Sequence, residues 1–228
     1  MKAALYNENQ EIIKILLNKG ADINARDKDG VSVLMKAASS NKNLEIVNTL
    51  IEHGADINAR DQSGETALMK ATRSKDKPEI INTLIENGAD INAKDVFERT
   101  VLMKAASSNE NLEIVNILIE KGADINARDE FKGTVLMQAA WFNENPEIIG
   151  FLLEKGSDID AKDQHNRTAL MKAARSNENP EVIQLLLDNE ADASLKCNNW
   201  KTAFDYAEEN EYLKGTDVYW RLNDAQYE

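Results

Sequence analysis

The strongest constraint in this sequence is a period. Leu34, Leu68, Leu102, Leu136 and Leu170 stand 34 residues apart, and Phe204 takes the next step. All six methionines, Met1, Met35, Met69, Met103, Met137 and Met171, fall in one column of that spacing. The three prolines, Pro78, Pro146 and Pro180, fall in another, filled elsewhere by Leu44 and Leu112. A period of this length, kept without slippage, implies an array of stacked supersecondary units in which no unit covers its apolar face alone.

One unit is readable from its residues. In Asp61 to Lys94, DQSGETALMKATRSKDKPEIINTLIENGADINAK, Thr66 precedes an Ala-Leu-Met-Lys-Ala run and reads as the N-cap of a short first helix. Its column is Ser32, Thr66, Thr100, Thr134, Thr168 and Thr202. Pro78 suits the first position of a second helix, with Glu79 at the positive end of its dipole. Ile80, Ile81, Leu84 and Ile85 make its apolar stripe, and Gly88, in a column with Gly20, Gly54, Gly122 and Gly156, fits a left-handed terminator. The following ADINAKD leads into a turn, so each unit reads as helix, loop, helix and extended finger.

These residues resemble the ankyrin repeat family. The signature D-x-x-G-x-T-P-L-H-x-A-A…V-x-x-L-L-x-x-G-A-D-x-N-A is carried by Asp27–Gly30, Leu34, Ala37 and Ala38, Val47, Leu50 and Ile51, and the run Gly54 to Ala59. The chain departs from it in two ways. Pro-Leu-His becomes Ala-Leu-Met or Val-Leu-Met, which removes the histidine that usually ties the turn, and each unit is one residue longer than the usual length of about 33. The extra residue is assigned to the Ser-Asn-Lys-Asn type loop between the helices. The resemblance implies an all-α solenoid: a partial repeat over 1–26, full repeats at 27–60, 61–94, 95–128, 129–162 and 163–196, and a C-terminal cap at 197–228. Met1 and Lys2 occupy the Met35 and Lys36 columns, so the start is not a signal peptide and the chain is expected to begin inside a repeat.

Composition and charge narrow the function. A net charge of −13 argues against nucleic acid as a partner, since phosphate contacts need clustered Lys or Arg. The lysine column Lys36, Lys70, Lys104 and Lys172, interrupted by Gln138, is expected to be a solvated helix position with carboxylates nearby. No run of about 20 apolar residues is present to span a membrane. His53 and His165 lie 112 residues apart, Cys197 is the only cysteine, and the carboxylates fall in repeating columns. No catalytic set, metal cluster or cofactor site is therefore expected. A chain without a cysteine framework suits the cytosol, with a periplasmic or exported setting left open.

Columns that vary are free to carry recognition. The finger reads ARDKDGVS, ARDQSGET, AKDVFERT, ARDEFKGT, AKDQHNRT and LKCNNWKT. Gly30 and Gly64 stand where the turn needs a positive φ; the later copies have Glu98, a glycine moved one place to Gly133, Asn166 and Trp200. Phe97 and Phe131 stand at finger tips in the column that elsewhere holds Asp29, Ser63, His165 and Asn199. At the end of the first helix, Ser39-Ser40, Arg73-Ser74, Ser107-Ser108 and Arg175-Ser176 give way to Trp141-Phe142 in the fourth copy alone.

In ankyrin proteins the finger tips and this helix end line a concave groove that binds partner proteins. The resemblance thus implies that Phe97, Phe131, Trp141 and Phe142 converge on one patch, with Gln138 relieving positive charge beside it and His165 and Trp200 at neighbouring tips. Exposed aromatics are the composition of an interface hot spot. Three readings stand at this point. The chain is a monomeric scaffold that binds another protein; or the patch joins two copies, or the array is a spacer in a larger polypeptide; or Trp141 packs only within its own loop. Phe151, on the outer side of a second helix interrupted by Gly150, and Tyr219 and Trp220 in the cap are assigned to packing.

Overall fold

The computed structural model describes residues 10–40, 44–73, 78–108 and 111–227. Met1, Lys2, Ser74 and parts of the inter-helix loops in the first three full repeats lie outside them. The described residues form thirteen helices: α1 Gln10–Asn18, α2 Val33–Ser40, α3 Leu44–Glu52, α4 Ala67–Ala71, α5 Pro78–Glu86, α6 Val101–Ser108, α7 Leu112–Glu120, α8 Val135–Phe142, α9 Pro146–Glu154, α10 Ala169–Ser176, α11 Pro180–Asp188, α12 Ala203–Ala207 and α13 Asp217–Ala225. They fall into two compact units, Met1–Ala105 with Glu113–Ala123, and Ala106–Leu112 with Asp124–Glu228.

Local chemistry sets each boundary. The Ser/Thr column caps the first helices: Thr66, Thr134 and Thr168 accept hydrogen bonds from the backbone N–H groups of Met69, Met137 and Met171. Pro78 opens α5, and Pro146 and Pro180 open α9 and α11 behind the N-caps Asn145 and Asn179. Gly20, Gly54, Gly88, Gly122 and Gly156 all have φ between 83° and 97°, as a left-handed terminator requires. Glu190, in the same column, adopts φ 65°.

In the first unit α2 packs on α3 and α4, while α3 packs on α1 and α5. In the second, first helices α8, α10 and α12 stack in one row and second helices α9, α11 and α13 in another. Leu68, Met69, Ile80, Ile81 and Leu84 are sealed in the first core, and Ile85 at the end of the expected stripe is half-buried. Gly150 lies inside α9, where an added Cβ would only touch Leu185 Cδ2 at 3.6 Å, so packing does not demand it. Tyr219 packs on Phe204 at 5.0 Å, whereas Trp220 leans edge-on against Tyr219 and stays largely exposed.

The fingers are built on one aspartate. Asp61 Oδ1 accepts the backbone N–H groups of Ser63 and Glu65, each at 2.9 Å, which closes the turn. Asp27, Asp95, Asp129 and Asp163 repeat this with the residues two and four positions on. The second oxygen takes the lysine column: Lys70 Nζ lies 2.7 Å from Asp61, Lys104 2.9 Å from Asp95 and Lys172 3.2 Å from Asp163, and Lys36 pairs with Asp27. This corrects the expectation of a solvated ridge. Lys70 and Lys172 are buried, and the column holds the turn that the missing histidine would have tied. Neighbouring fingers are joined by backbone bonds, Gln62 N to Asp29 O and Val96 N to Ser63 O in the first unit, Gln164 N to Phe131 O and Asn198 N to His165 O in the second.

The lengthened loop has its own device. Asn143 is buried and donates from Nδ2 to Ala106 O at 2.8 Å. Asn177 donates to Ala140 O and Asn143 O, and Asn210 to Ala174 O and Asn177 O. Each amide satisfies carbonyls at the end of the preceding first helix, groups that would otherwise be left unpaired by the helix terminus.

Glu65 adds a further anion beside Asp61 and Asp95 in the first unit. Its carboxylate accepts from Lys70 at 2.8 Å, Arg73 at 2.7 Å and Lys104 at 2.6 Å. Burial pushes this carboxyl up, but the hydrogen bonds and charges of Lys104 and Lys70 outweigh it and bring it to about 2. A depressed carboxyl contributes stability that is present at neutral pH and lost as pH falls from about 4.5 toward 2. Glu65→Gln is therefore expected to be less stable than the parent at pH 7 by roughly 2–3 kcal/mol in urea unfolding, with the gap shrinking below pH 4. A gap independent of pH would contradict this account of Glu65.

Candidate functional site

In the second unit the fourth and fifth repeats enclose a pocket of about 260 Å³. One wall is the finger tip Phe131, the other the helix end Trp141, with Gln138 and Met137 on the floor and His165 and Lys172 from the next repeat closing it. The pocket brings together four of the expected residues: Phe131, Gln138, Trp141 and His165. Phe142 sits outside it, stacked on Trp141 with centroids 4.8 Å apart and planes 13° off parallel. Phe142 is 57% exposed and Phe131 49%.

Trp141 is less open than its column implies. It is half-buried, and Lys172 Nζ lies 4.0 Å from its ring centroid, within cation–π range. Burial pushes the Lys172 ammonium down and the neighbouring Arg167 adds to this; Asp163 opposes them, and the net shift is downward. Burial pushes the Asp163 carboxyl up, but the backbone N–H groups of Arg167 and His165 and the charges of Lys172 and Arg167 prevail and hold it low. Trp141 thus covers an internal ion pair and lines the pocket, while Phe142 stacks on it from outside the pocket.

Gln138 has a scaffold duty as well. Its Nε2 donates to Asp129 Oδ2 at 2.8 Å, the position the lysine takes in other repeats, so it keeps the finger pinned without a charge. The neighbouring repeat still supplies Lys172, so the expectation that Gln138 frees the patch of positive charge is not met. The turn itself does not shift in this repeat. Lys132 carries φ 60°, in line with Glu98 at 56°, Asn166 at 57° and Trp200 at 62°, and Gly133 is not in the positive region. A Cβ on Gly133 would lie 2.8 Å from Asp129 Oδ2, so a larger residue there would require the carboxylate to shift.

The remaining expected residues are not among those that line this pocket. Trp200 occupies the positive-φ position of the last finger and is 80% exposed. Phe97 belongs to the first unit, where it is an exposed finger tip with the Arg99 guanidinium 5.0 Å from its ring centroid. Lys172 and Arg167 were not anticipated. The signal was available in the period, since a lysine one repeat on from Gln138 meets the first-helix end of the repeat before it.

Among the described residues no group of three or more His, Cys, Asp or Glu side chains could hold a metal ion, and no helix is long and apolar enough to cross a membrane. The polar groups around the pocket are committed to one another, and the opening that remains is apolar. Such a surface suits shape recognition of another molecule.

A family profile described as ankyrin repeats in three copies matches residues 1–95, 62–129, 93–163 and 136–218. No curated protein sequence matches the chain significantly. The crystal structure of the human ASB11 ankyrin repeat domain superposes with a TM-score of 0.83 at 26% identity, over 98% of this chain and 96% of that one.

The half-buried position of Trp141 sets a prediction. Trp141→Ala should lower unfolding stability by about 1–2 kcal/mol, because it uncovers Lys172 and removes the Phe142 stack. Phe142→Ala should lower it by only about 0.5 kcal/mol. Equal losses in chemical denaturation would contradict this division of roles.

Proposed function

The chain belongs to the ankyrin-repeat family, whose members are generally protein-interaction modules of a typically non-catalytic fold, and from that premise we propose that it binds another protein on its finger-and-first-helix face. We place the centre of that face on the fourth repeat, with Phe131 and Trp141 as the anchoring walls and Phe142 at the rim. Phe97, His165 and Trp200 are tips of the same kind on neighbouring repeats. In the family's geometry this is the concave side.

The observation that carries this reading is the pairing of two well-exposed phenylalanines with a pocket whose polar groups are already satisfied. Large apolar side chains left open on a chain with 29% charged residues favour a contact surface, and aromatic anchors are where interface energy concentrates. The scaffold is rigid there, held by Asp129, Gln138 and the bond from Gln164 N to Phe131 O, so little ordering is lost on binding.

The test is capture from lysate of the source organism by the intact chain and by a Phe131→Ala, Trp141→Ala, Phe142→Ala variant shown by circular dichroism to be folded. A protein retained by the intact chain should rebind in purified form by calorimetry, with affinity reduced tenfold or more by the variant. Unchanged affinity would remove the patch from the interface. If light scattering instead showed a mass that rises with concentration for the intact chain alone, the occupant would be a second copy.

A further inference from the structure

Beside the aromatic pocket, and sharing His165 and Arg167 with it, lies a second pocket of about 210 Å³. Arg175 and Arg167 stand on its sides, Tyr206 and Cys197 form its base, and Asn198 and Asn199 come from the last finger. The repeat period shows what this pocket lacks. Three repeats earlier, Glu65, Lys70, Arg73 and Lys104 occupy the columns of Arg167, Lys172, Arg175 and Tyr206. There one carboxylate, Glu65, accepts from all three cations. Here the carboxylate column is itself an arginine.

Arg167 turns back to its own finger, with Nε and Nη2 2.9 and 2.8 Å from Asp163 Oδ2. Lys172 also pairs with Asp163. Arg175, the counterpart of Arg73, is exposed, lies 5.9 Å from the Tyr206 ring centroid, and has no carboxylate within ion-pair distance among the described residues. On the far side, Lys201 contacts the same Tyr206 ring and is paired with Glu209 at 2.6 Å. The Asp–Lys pair at the base has become Cys197 and Tyr206, 3.4 Å apart, which adds no negative charge of the aspartate kind. Glu209 lies within electrostatic range of Arg175 but is hydrogen-bonded to Lys201, so in a chain of net charge −13 this is a local cationic hollow with no carboxylate bonded to Arg175 among the described residues.

We propose that this pocket takes the carboxylate of an aspartate or glutamate side chain from the bound protein, in the place that Glu65 fills internally in the second full repeat. This rests on the reading that this face of the second unit binds a protein, and it specifies that partner. An acidic side chain enters between Arg175, the open edge of Arg167 and the Asn199 amide, next to an apolar residue lodged against Trp141 and Phe131. Planar guanidinium groups suit a carboxylate, and the last finger supplies neutral donors that tighten the fit. The local sign is opposite to the overall charge, so the partner is expected to be acidic at this point even if it is basic elsewhere.

The test uses the full chain and capped peptides in 0.15 M salt, where long-range repulsion by the acidic surface is screened beyond about 8 Å. Acetylated, amidated hexaglutamate, hexaglutamine and hexalysine are titrated against isotopically labelled protein by NMR. Hexaglutamate should give saturable shifts centred on Arg175, Asn198 and Asn199, with hexaglutamine and hexalysine silent there. Arg175→Ala should weaken hexaglutamate about fivefold and Arg175→Glu should abolish it. Because Arg175 is exposed, both variants are expected to keep the parent's unfolding midpoint. Equal binding of hexaglutamine, or unaltered hexaglutamate affinity in Arg175→Glu, overturns the proposal. Loss of natural-partner binding in the aromatic variant alone, without hexaglutamate binding to the parent, leaves the protein-binding face standing and refutes the carboxylate site; the reverse pattern refutes the face and retains the site.

Discussion

Five of the six fingers depend on one carboxylate with two duties. Oδ1 of the finger aspartate holds two backbone N–H groups, and Oδ2 holds a side chain from the first helix of the same repeat. The turn, the helix N-cap and the bond to the next finger all follow from that pin. Its strength comes from surroundings: the lysine partners are buried or half-buried, so each pair is screened less than a surface ion pair would be. Removing one partner would leave an uncompensated charge, which is the costly way to break such a pair.

The same pin explains how the repeats differ without losing their fold. The pair is Asp–Lys in four copies, Asp129–Gln138 in the fourth and Cys197–Tyr206 at the end. In the last copy the backbone amides of Asn199 and Lys201 face the sulfur in the same sense. Burial pushes its thiol up, but the hydrogen bond from Tyr206 and those backbone groups prevail and bring it below the ordinary value. The two exceptions border the two pockets described above, Asp129–Gln138 the aromatic one and Cys197–Tyr206 the one beside it. Next to the Asp129–Gln138 pin, Lys172 of the following repeat both pairs with Asp163 and lies under Trp141.

Much of this was legible in the sequence. The Thr caps, the proline at the start of second helices, the terminating glycines and the exposed tips of Phe97 and Phe131 all follow from local rules that act within a few residues. What was not legible depends on the neighbour one period away. The lysine column read as solvent-facing because a charged residue on a short helix gives no sign of its burial; only the aspartate nine residues earlier does. The contact of Trp141 with Lys172 was not read because Lys172, 31 residues later, is invisible to any local window. The positive φ stayed at Lys132 and did not follow the glycine to 133, since the geometry of the stacked fingers overrides a single residue's preference. The buried Asn143, Asn177 and Asn210 were hidden for the same reason, their acceptors lying in the preceding repeat.

The claim at the centre of this account is that the finger aspartate pins the turn that presents the recognition residues. Amide hydrogen exchange on Asp129→Ala tests it most directly, because both acceptor oxygens are removed and the helices are untouched. Protection at Phe131 N–H and Gly133 N–H should fall by about tenfold or more, with the corresponding His165 and Arg167 amides, pinned by Asp163, unchanged. Full protection at Phe131 and Gly133 in the variant would mean that stacking alone holds the finger and that the aspartate is dispensable.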